Sequence, residues 1–225
     1  MAKKKKKRVL KIKNICIFLG IVILLGLLIY YIVTMPIKNI YVNGEKYITE
    51  NEILELTSLY EYPSFLLTKK TTLINKIKKN NYIKNITIRK KWGSILEINI
   101  EEYTPLALTK DNKIIIENGH LLDNIYNETD IPLLINDITN KEIYCNFSKK
   151  LKKINKNILR QISQIEYSPV EVDKDRFLLY MSDKNKVYIT LTKIEKMNKY
   201  NKIKDALEGN SGIIYLDSGN YAELN

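Results

Sequence analysis

His120 is the chain's one histidine, and it is the natural first candidate for acid–base chemistry. An imidazole serves as a general base when a nucleophile lies within hydrogen-bond reach. His120 follows Asn118-Gly119, a turn pair, with no serine or cysteine of a nucleophile motif nearby. It reads as a turn residue. Carboxylates cluster at Glu101-Glu102 and at Glu50, Glu52 and Glu55. Surface and helix-capping roles account for them more simply than acid–base work. A metal site needs several His, Cys or carboxylate ligands at defined spacing, and none is spaced that way. Neither G-x-x-x-x-G-K-[ST] nor G-x-G-x-x-G occurs, so nucleotide use has no support. The chain is expected to have no catalytic residue, no cofactor, no metal and no small-molecule substrate.

Charge excludes a further class. The net charge of +12 is concentrated at the N-terminus, where eight basic residues precede Asn14 and no acidic residue precedes Glu45. Subtracting those eight leaves +4 for residues 14–225. A nucleic-acid-binding domain would spread its basic charge over a folded face; here most of it is a tail. No charge then occurs from Asn14 through Ile37. About 20 apolar residues cross the hydrocarbon core of a bilayer, so this stretch is long enough to span one. A cleaved signal would have a shorter apolar region ending in small residues. Tyr30, Tyr31, Ile32 and Met35 stand there instead, which favours a retained anchor. The polybasic flank places the N-terminus in the cytoplasm and residues from about 36 onward outside it. Cys16 lies in the anchor and Cys145 beyond it. No disulfide within the chain is expected, and the outer part needs a real hydrophobic core.

Beyond the anchor, Ile37, Ile40 and Val42 predict a short strand, and Asn43-Gly44 a turn. Thr49 and Glu52 fit a capping box that opens a helix with Ile53, Leu56 and Tyr60 inward and Pro63 as its stop. Leu73, Ile74 and Ile77 predict a second helix with a solvated lysine face. Ile86 and Ile88, then Leu96, Ile98 and Ile100 after Trp92-Gly93-Ser94, alternate as an antiparallel hairpin. Strand, helix, helix, strand, strand makes a small α+β domain whose helices cover one face of a three-stranded sheet.

The rest reads as β-rich. Lys113–Glu117 and Leu121–Asp123 flank a hairpin turn, and a further segment starts at Ile131. Leu151, Ile154, Ile158, Ile162 and Ile165 have the spacing of an amphipathic helix. Val170–Asp173, Arg176–Met181 and Lys186–Thr190 predict strands. Ile194, Met197, Ile203 and Leu207 predict a helix ending near Gly209. Gly212–Leu224 reads as the last strand, with its outer side uncovered.

Pro63–Leu67 (PSFLL) lies between the helices, and Lys90, Trp92, the turn at Gly93, Leu96, Ile98, Glu102, Pro105 and Ala107 follow in order. On these motifs the chain resembles the FtsQ/DivIB family of bacterial division proteins, from the tail to the end and most strongly from 36 to 109. Gly93 stands where the family usually has proline, which keeps a turn. Tyr103 stands where a basic residue is common, which alters a surface contact. The resemblance implies a single transmembrane helix, then a POTRA domain (β-α-α-β-β) and a C-terminal mixed β-rich domain with an open edge strand. The boundaries implied are a basic cytoplasmic tail at 1–13, a span at 14–35, the POTRA domain at 36–104 and the β domain at 105–225.

By the same resemblance the chain is a division scaffold, not an enzyme. It would stand in the plasma membrane at the septum and link bitopic partners similar to FtsB and FtsL by β-strand addition. Tyr215, Leu216, Asp217, Ser218, Gly219 and Tyr221 are the implied partner-binding residues, with Asp217-Ser218-Gly219 as the turn after the receiving strand. Trp92 fits either a binding anchor or a hairpin-end residue packing over the sheet. A competing class is a POTRA-bearing transport or envelope-assembly component. Such proteins carry many alternating barrel strands, and this chain has none of that pattern.

Overall fold

The structure is a computed structural model that describes residues 12–224. Most of the expected basic tail, residues 1–11, lies outside the described residues. The helix α1 (Ile12–Thr34) has 23 residues, roughly 35 Å at the usual rise per residue. Its stretch Lys13–Thr34 is apolar and long enough to cross a bilayer, and none of it is buried by the rest of the chain. The described residues fall into two compact units, one ending at Glu102 and the other beginning at Tyr103.

In the first unit β1 (Asn39–Asn43) leads to α2 (Glu50–Thr57), a 3-10 turn (Leu59–Glu61) and α3 (Lys70–Ile77). The hairpin β2 (Ile83–Lys91) and β3 (Ile95–Glu102) follows. The sheet order is β1-β3-β2, with β1 parallel to β3 and β2 antiparallel to it. The capping box is complete: Glu52 N–H donates to the Thr49 hydroxyl, and the Thr49 N–H donates to the Glu52 carboxylate. Ile53, Leu59, Leu73 and Ile77 pack on Ile86, Ile88, Leu96, Ile98 and Ile100. The expected inner stripe of α2 needs correction. Leu56 and Tyr60 are exposed, while Thr57 and Leu59 are buried. Ser58 adopts a left-handed conformation that ends the helix, and the tighter 3-10 turn then shifts the phase of the inward face. Pro63 therefore stops nothing.

Glu102 is buried, so neither its surface reading nor a simple helix cap describes it. Its carboxylate accepts from the backbone N–H groups of Lys46 (2.8 Å), Tyr47 (3.0 Å) and Ile48 (3.2 Å). It thereby closes the loop that delivers the chain to α2. Hydrogen bonds to a charged group contribute about 1.5–3 kcal/mol each, less when they share one acceptor. Glu102→Ala will destabilise the first unit by about 3 kcal/mol. Amide exchange along the β1–β3 ladder of the full chain in detergent will report it as an acceleration of at least tenfold.

The second unit has one nine-stranded sheet. Its elements are β4 (Pro105–Leu108), β5 (Lys113–Ile116), β6 (Leu121–Asp123), β7 (Leu133–Leu134), α4 (Lys141–Leu151), α5 (Lys156–Leu159), β8 (Ile162–Tyr167), β9 (Arg176–Met181) and β10 (Lys186–Thr190). A 3-10 segment (Leu191–Lys199), α6 (Tyr200–Ala206), β11 (Gly212–Tyr215) and β12 (Tyr221–Leu224) complete it. Strand order is β12-β11-β10-β9-β8-β7-β4-β5-β6. Phe147 of α4 stacks on Phe177 of β9 at 5.1 Å, within a core that also holds Ile194, Met197 and Tyr200.

Three sequence expectations change here. The five residues read as one helix, Leu151 to Ile165, are all buried, but they belong to the end of α4, a turn, α5 and β8. Ile162 and Ile165 share a buried face three residues apart because the ladder is irregular between Ile162 and Gln164. An extra residue in one strand resets its alternation. Val170–Asp173 is a tight loop closed by one bridge, not a strand. Finally, Gly212–Leu224 is not one strand but a hairpin. β11 is paired on both sides, parallel to β10 and antiparallel to β12, so at this end of the sheet the open edge is β12, as β6 is at the other end.

Candidate docking edge

The hairpin is held at its start by Gly212. Its N–H donates to the Asn185 side-chain oxygen at 2.9 Å. The Asn185 amide in turn donates to the Tyr200 hydroxyl (3.0 Å), which donates to Asp183 (2.8 Å). Tyr200 is fully buried, and burial followed by the bond to Asp183 pushes its phenol well above the ordinary range. The hydroxyl thus stays a donor. Gly212 also lies so close to β12 that a Cβ there would stand 2.1 Å from the Glu223 carbonyl oxygen.

The turn between β11 and β12 is pinned from below. Arg176 Nε donates to Asp217 Oδ2 at 2.7 Å, with 15% and 9% of the two side chains exposed. Burial pushes the Asp217 carboxyl up, but the bonds from Arg176 and from the Ser218 N–H and hydroxyl outweigh it and hold the group below the usual carboxylate range. Lys193 Nζ donates to the Asp217 carbonyl, and Lys196 Nζ to the Asn220 side chain at 2.8 Å. The Leu216 N–H donates to the Tyr188 carbonyl at 2.8 Å.

On one face of these strands a ladder runs to the edge. The Arg176 guanidinium lies 3.7 Å over the Tyr188 ring. Tyr188 stacks on Tyr215 at 5.5 Å, and Tyr215 on Tyr221 at 4.7 Å. Such pairs contribute beyond the area they bury. Alongside β11 and β12 a groove of about 480 Å³ opens, walled by Ile203, Leu207, Ile214, Leu216 and Ala222 and rimmed by Lys196, Lys199 and Lys202.

The six residues expected at this site are therefore brought together, with different roles. Tyr221 is half exposed on the edge strand and Tyr215 is partly covered. Leu216 is buried in the core, and the Asp217 carboxylate is engaged by Arg176. Ser218 and Gly219 form the turn. Trp92 belongs to the first unit, at the tip between β2 and β3, and is 99% exposed. It does not pack over its sheet. Sequence reasoning passed over Arg176 and Gly212. Arg176 had one signal, since only four of the 37 basic residues are arginine. A planar fork that pairs and stacks cannot be replaced by lysine. Among the described residues no three His, Cys, Asp or Glu side chains gather to hold a metal ion. His120 is exposed in its turn.

Residues 35–103 match the family of POTRA domains of FtsQ type. The chain is 31% identical over 215 residues to cell division protein DivIB of Bacillus subtilis, covering 92% of this chain and 81% of that protein. It is 30% identical over 230 residues to cell division protein DivIB of Listeria monocytogenes, covering 97% and 84%. Among solved structures, the major extracytoplasmic domain of DivIB from Geobacillus stearothermophilus aligns with a TM-score of 0.40 and 24% identity, over 48% of this chain and 96% of that one.

Proposed function

The chain belongs to the DivIB family of cell division proteins, and from that footing we propose that it is a septal scaffold whose β12 edge receives an extended segment of a bitopic partner similar to FtsB or FtsL. The observation that carries this reading is the unpaired outer side of β12, which is one of the two end strands of the nine-stranded sheet and the one with the apolar groove beside it. An edge strand offers free N–H and C=O groups to a neighbour's backbone.

Four residues supply few such bonds, and each contributes only about 0.5–1.5 kcal/mol net. Side chains must add to them. The adjoining groove takes an apolar side chain of the added strand, and its lysine rim favours a segment carrying acidic residues. Tyr221, stacked on Tyr215, offers an exposed aromatic face. Anchoring by α1 keeps scaffold and partners in one membrane plane and raises their effective concentration. The polybasic N-terminus favours a cytoplasmic tail with both units outside. Midcell placement follows from the partners it would gather.

A chain ending at Gly219 keeps β11 and the turn but lacks β12. On co-purification from membranes it will lose the FtsB- and FtsL-like proteins that the full chain retains. Undiminished recovery would refute the β12 assignment.

A further inference from the structure

The first unit carries exposed apolar side chains that neither its core nor the β12 edge explains. Trp92 is 99% exposed, Leu67 66% and Leu66 51%. They lie in two separate loops, 64–67 and 92–94, and both loops are tied to the exit of α1. The Ser64 hydroxyl donates to the Val33 carbonyl, inside the last turn of that helix. The Phe65 N–H donates to the Met35 carbonyl at 2.9 Å, and the Ile37 N–H to the Pro63 carbonyl at 3.0 Å. The Lys38 N–H donates to the Ser94 carbonyl at 2.9 Å. The two loops are also joined to each other, because Lys90 Nζ donates to the Phe65 carbonyl and sits 4.9 Å over the Phe65 ring.

The topology places the tip on the same side as the helix exit. β1 runs parallel to β3, with Asn39 opposite Ile95. The residues before Ile95 therefore stand level with the residues before Asn39, which are those that leave α1. If α1 spans the bilayer, its last turn marks the depth of one membrane surface. Tyr30 and Tyr31, exposed near that end, have the chemistry of an interfacial belt.

We propose that Trp92, Leu66 and Leu67 form a second membrane contact, lying in the headgroup region of the leaflet where α1 emerges. Tryptophan is enriched at that depth because its ring is apolar and its indole N–H is polar. Lys38, whose N–H bonds to the Ser94 carbonyl, and Lys69 and Lys70, which follow Leu67 in the chain, are exposed and suit anionic headgroups. The contact holds the first unit against the bilayer, so that α1 and the POTRA module tilt as one body. The inference rests on the membrane span and is independent of what β12 binds.

Trp92 is the only tryptophan of the chain, so its fluorescence tests the contact directly. The full chain is placed in protein-free bicelle discs of phosphatidylcholine and phosphatidylglycerol, some with bromines near the headgroup end of the acyl chains. Trp92 emission will move to shorter wavelength, be quenched by the bromines, and lose severalfold in its quenching by aqueous iodide relative to free tryptophan amide. The double variant Leu66→Ser/Leu67→Ser will weaken the bromine quenching severalfold. In chains that enter the discs, iodide quenching as strong as that of free tryptophan amide, with no effect of bromine, overturns the proposal and leaves Trp92 to a protein partner. Bromine quenching that survives the double variant unchanged overturns the part assigned to the loop. A chain that stays out of the discs removes the span and the contact together, while leaving the β12 proposal to its own co-purification test.

Discussion

Gly212→Ala will detach β12 and abolish the capture of a partner segment proposed for it. The new Cβ would stand 2.1 Å from the Glu223 carbonyl oxygen, and 3.0 Å from both the Glu223 carbonyl carbon and the Leu224 Cα. All three are backbone atoms of β12, so no side chain can swing aside. The backbone at Gly212 does not have the positive φ that four other glycines show. Conformational freedom is thus not the reason for glycine here; close approach of two strands is. β11 is held from its other side by β10 and by Asn185. The strand that yields is β12. Hydrogen exchange of the amides at 221–224 will rise by at least tenfold, which corresponds to about 1.4 kcal/mol or more. Co-purification of the FtsB-like partner will fall to background. Gly219→Ala is the comparison for exchange alone, because Tyr221 is itself a proposed partner contact. Its Cβ would meet only the Tyr221 ring, at 2.9 and 3.2 Å, and the ring can turn away. Wild-type exchange and binding in Gly212→Ala would mean that the edge is not built as described.

Arg176→Ala will cost the second unit about 3 kcal/mol, because removing one partner of a largely buried pair leaves the other charge without compensation. It also strips the cation from the Tyr188–Tyr215–Tyr221 ladder and frees the turn at Asp217. The pH dependence has a definite sign. The folded-state pKa of Asp217 is depressed, so its contribution is fully present above the ordinary carboxylate value of about 4 and is lost as pH falls through the lower folded value. Without Arg176 the burial of Asp217 favours its neutral form instead. The deficit of Arg176→Ala against wild type is therefore greatest at neutral pH and shrinks below about pH 4. Urea unfolding of the full chain in detergent at pH 7 and at pH 3.5 measures both. An equal deficit at the two values would show that lost packing over Tyr188, not the pair with Asp217, is what matters.

The features legible beforehand are those whose physics is local. A charge-free stretch long enough to cross a bilayer, a threonine with glutamate three residues on, and two alternating runs about a tight turn each depend on neighbours within a few residues. α1, the capped start of α2 and the β2–β3 hairpin follow from them. Leu151 to Ile165 marks where that reasoning ends. Hydrophobic spacing reported burial faithfully at all five positions, but burial is common to a helix end, a turn and a bulged strand. Which element each residue joined was settled by the partners it met.

The candidate docking edge depends wholly on such distant partners. Arg176 and Asp217 are 41 positions apart, and nothing near either one announces the pair. Gly212–Leu224 carries the residue types of strands, yet types do not say which ribbon will be flanked. That is decided when β10, far back in the chain, lies parallel to β11 and leaves β12 outermost. The same holds for Trp92. Its exposure and its place beside residues 64–67 come from the parallel pairing of β1 with β3, which carries the hairpin tip to the exit of α1. The chain's composition and short-range patterns thus specified the long apolar helix and the small sheet. Long-range strand pairing alone chose which backbone stays open and which aromatic faces outward, because hydrogen-bond partners across a sheet are assigned by topology and not by neighbours in the chain.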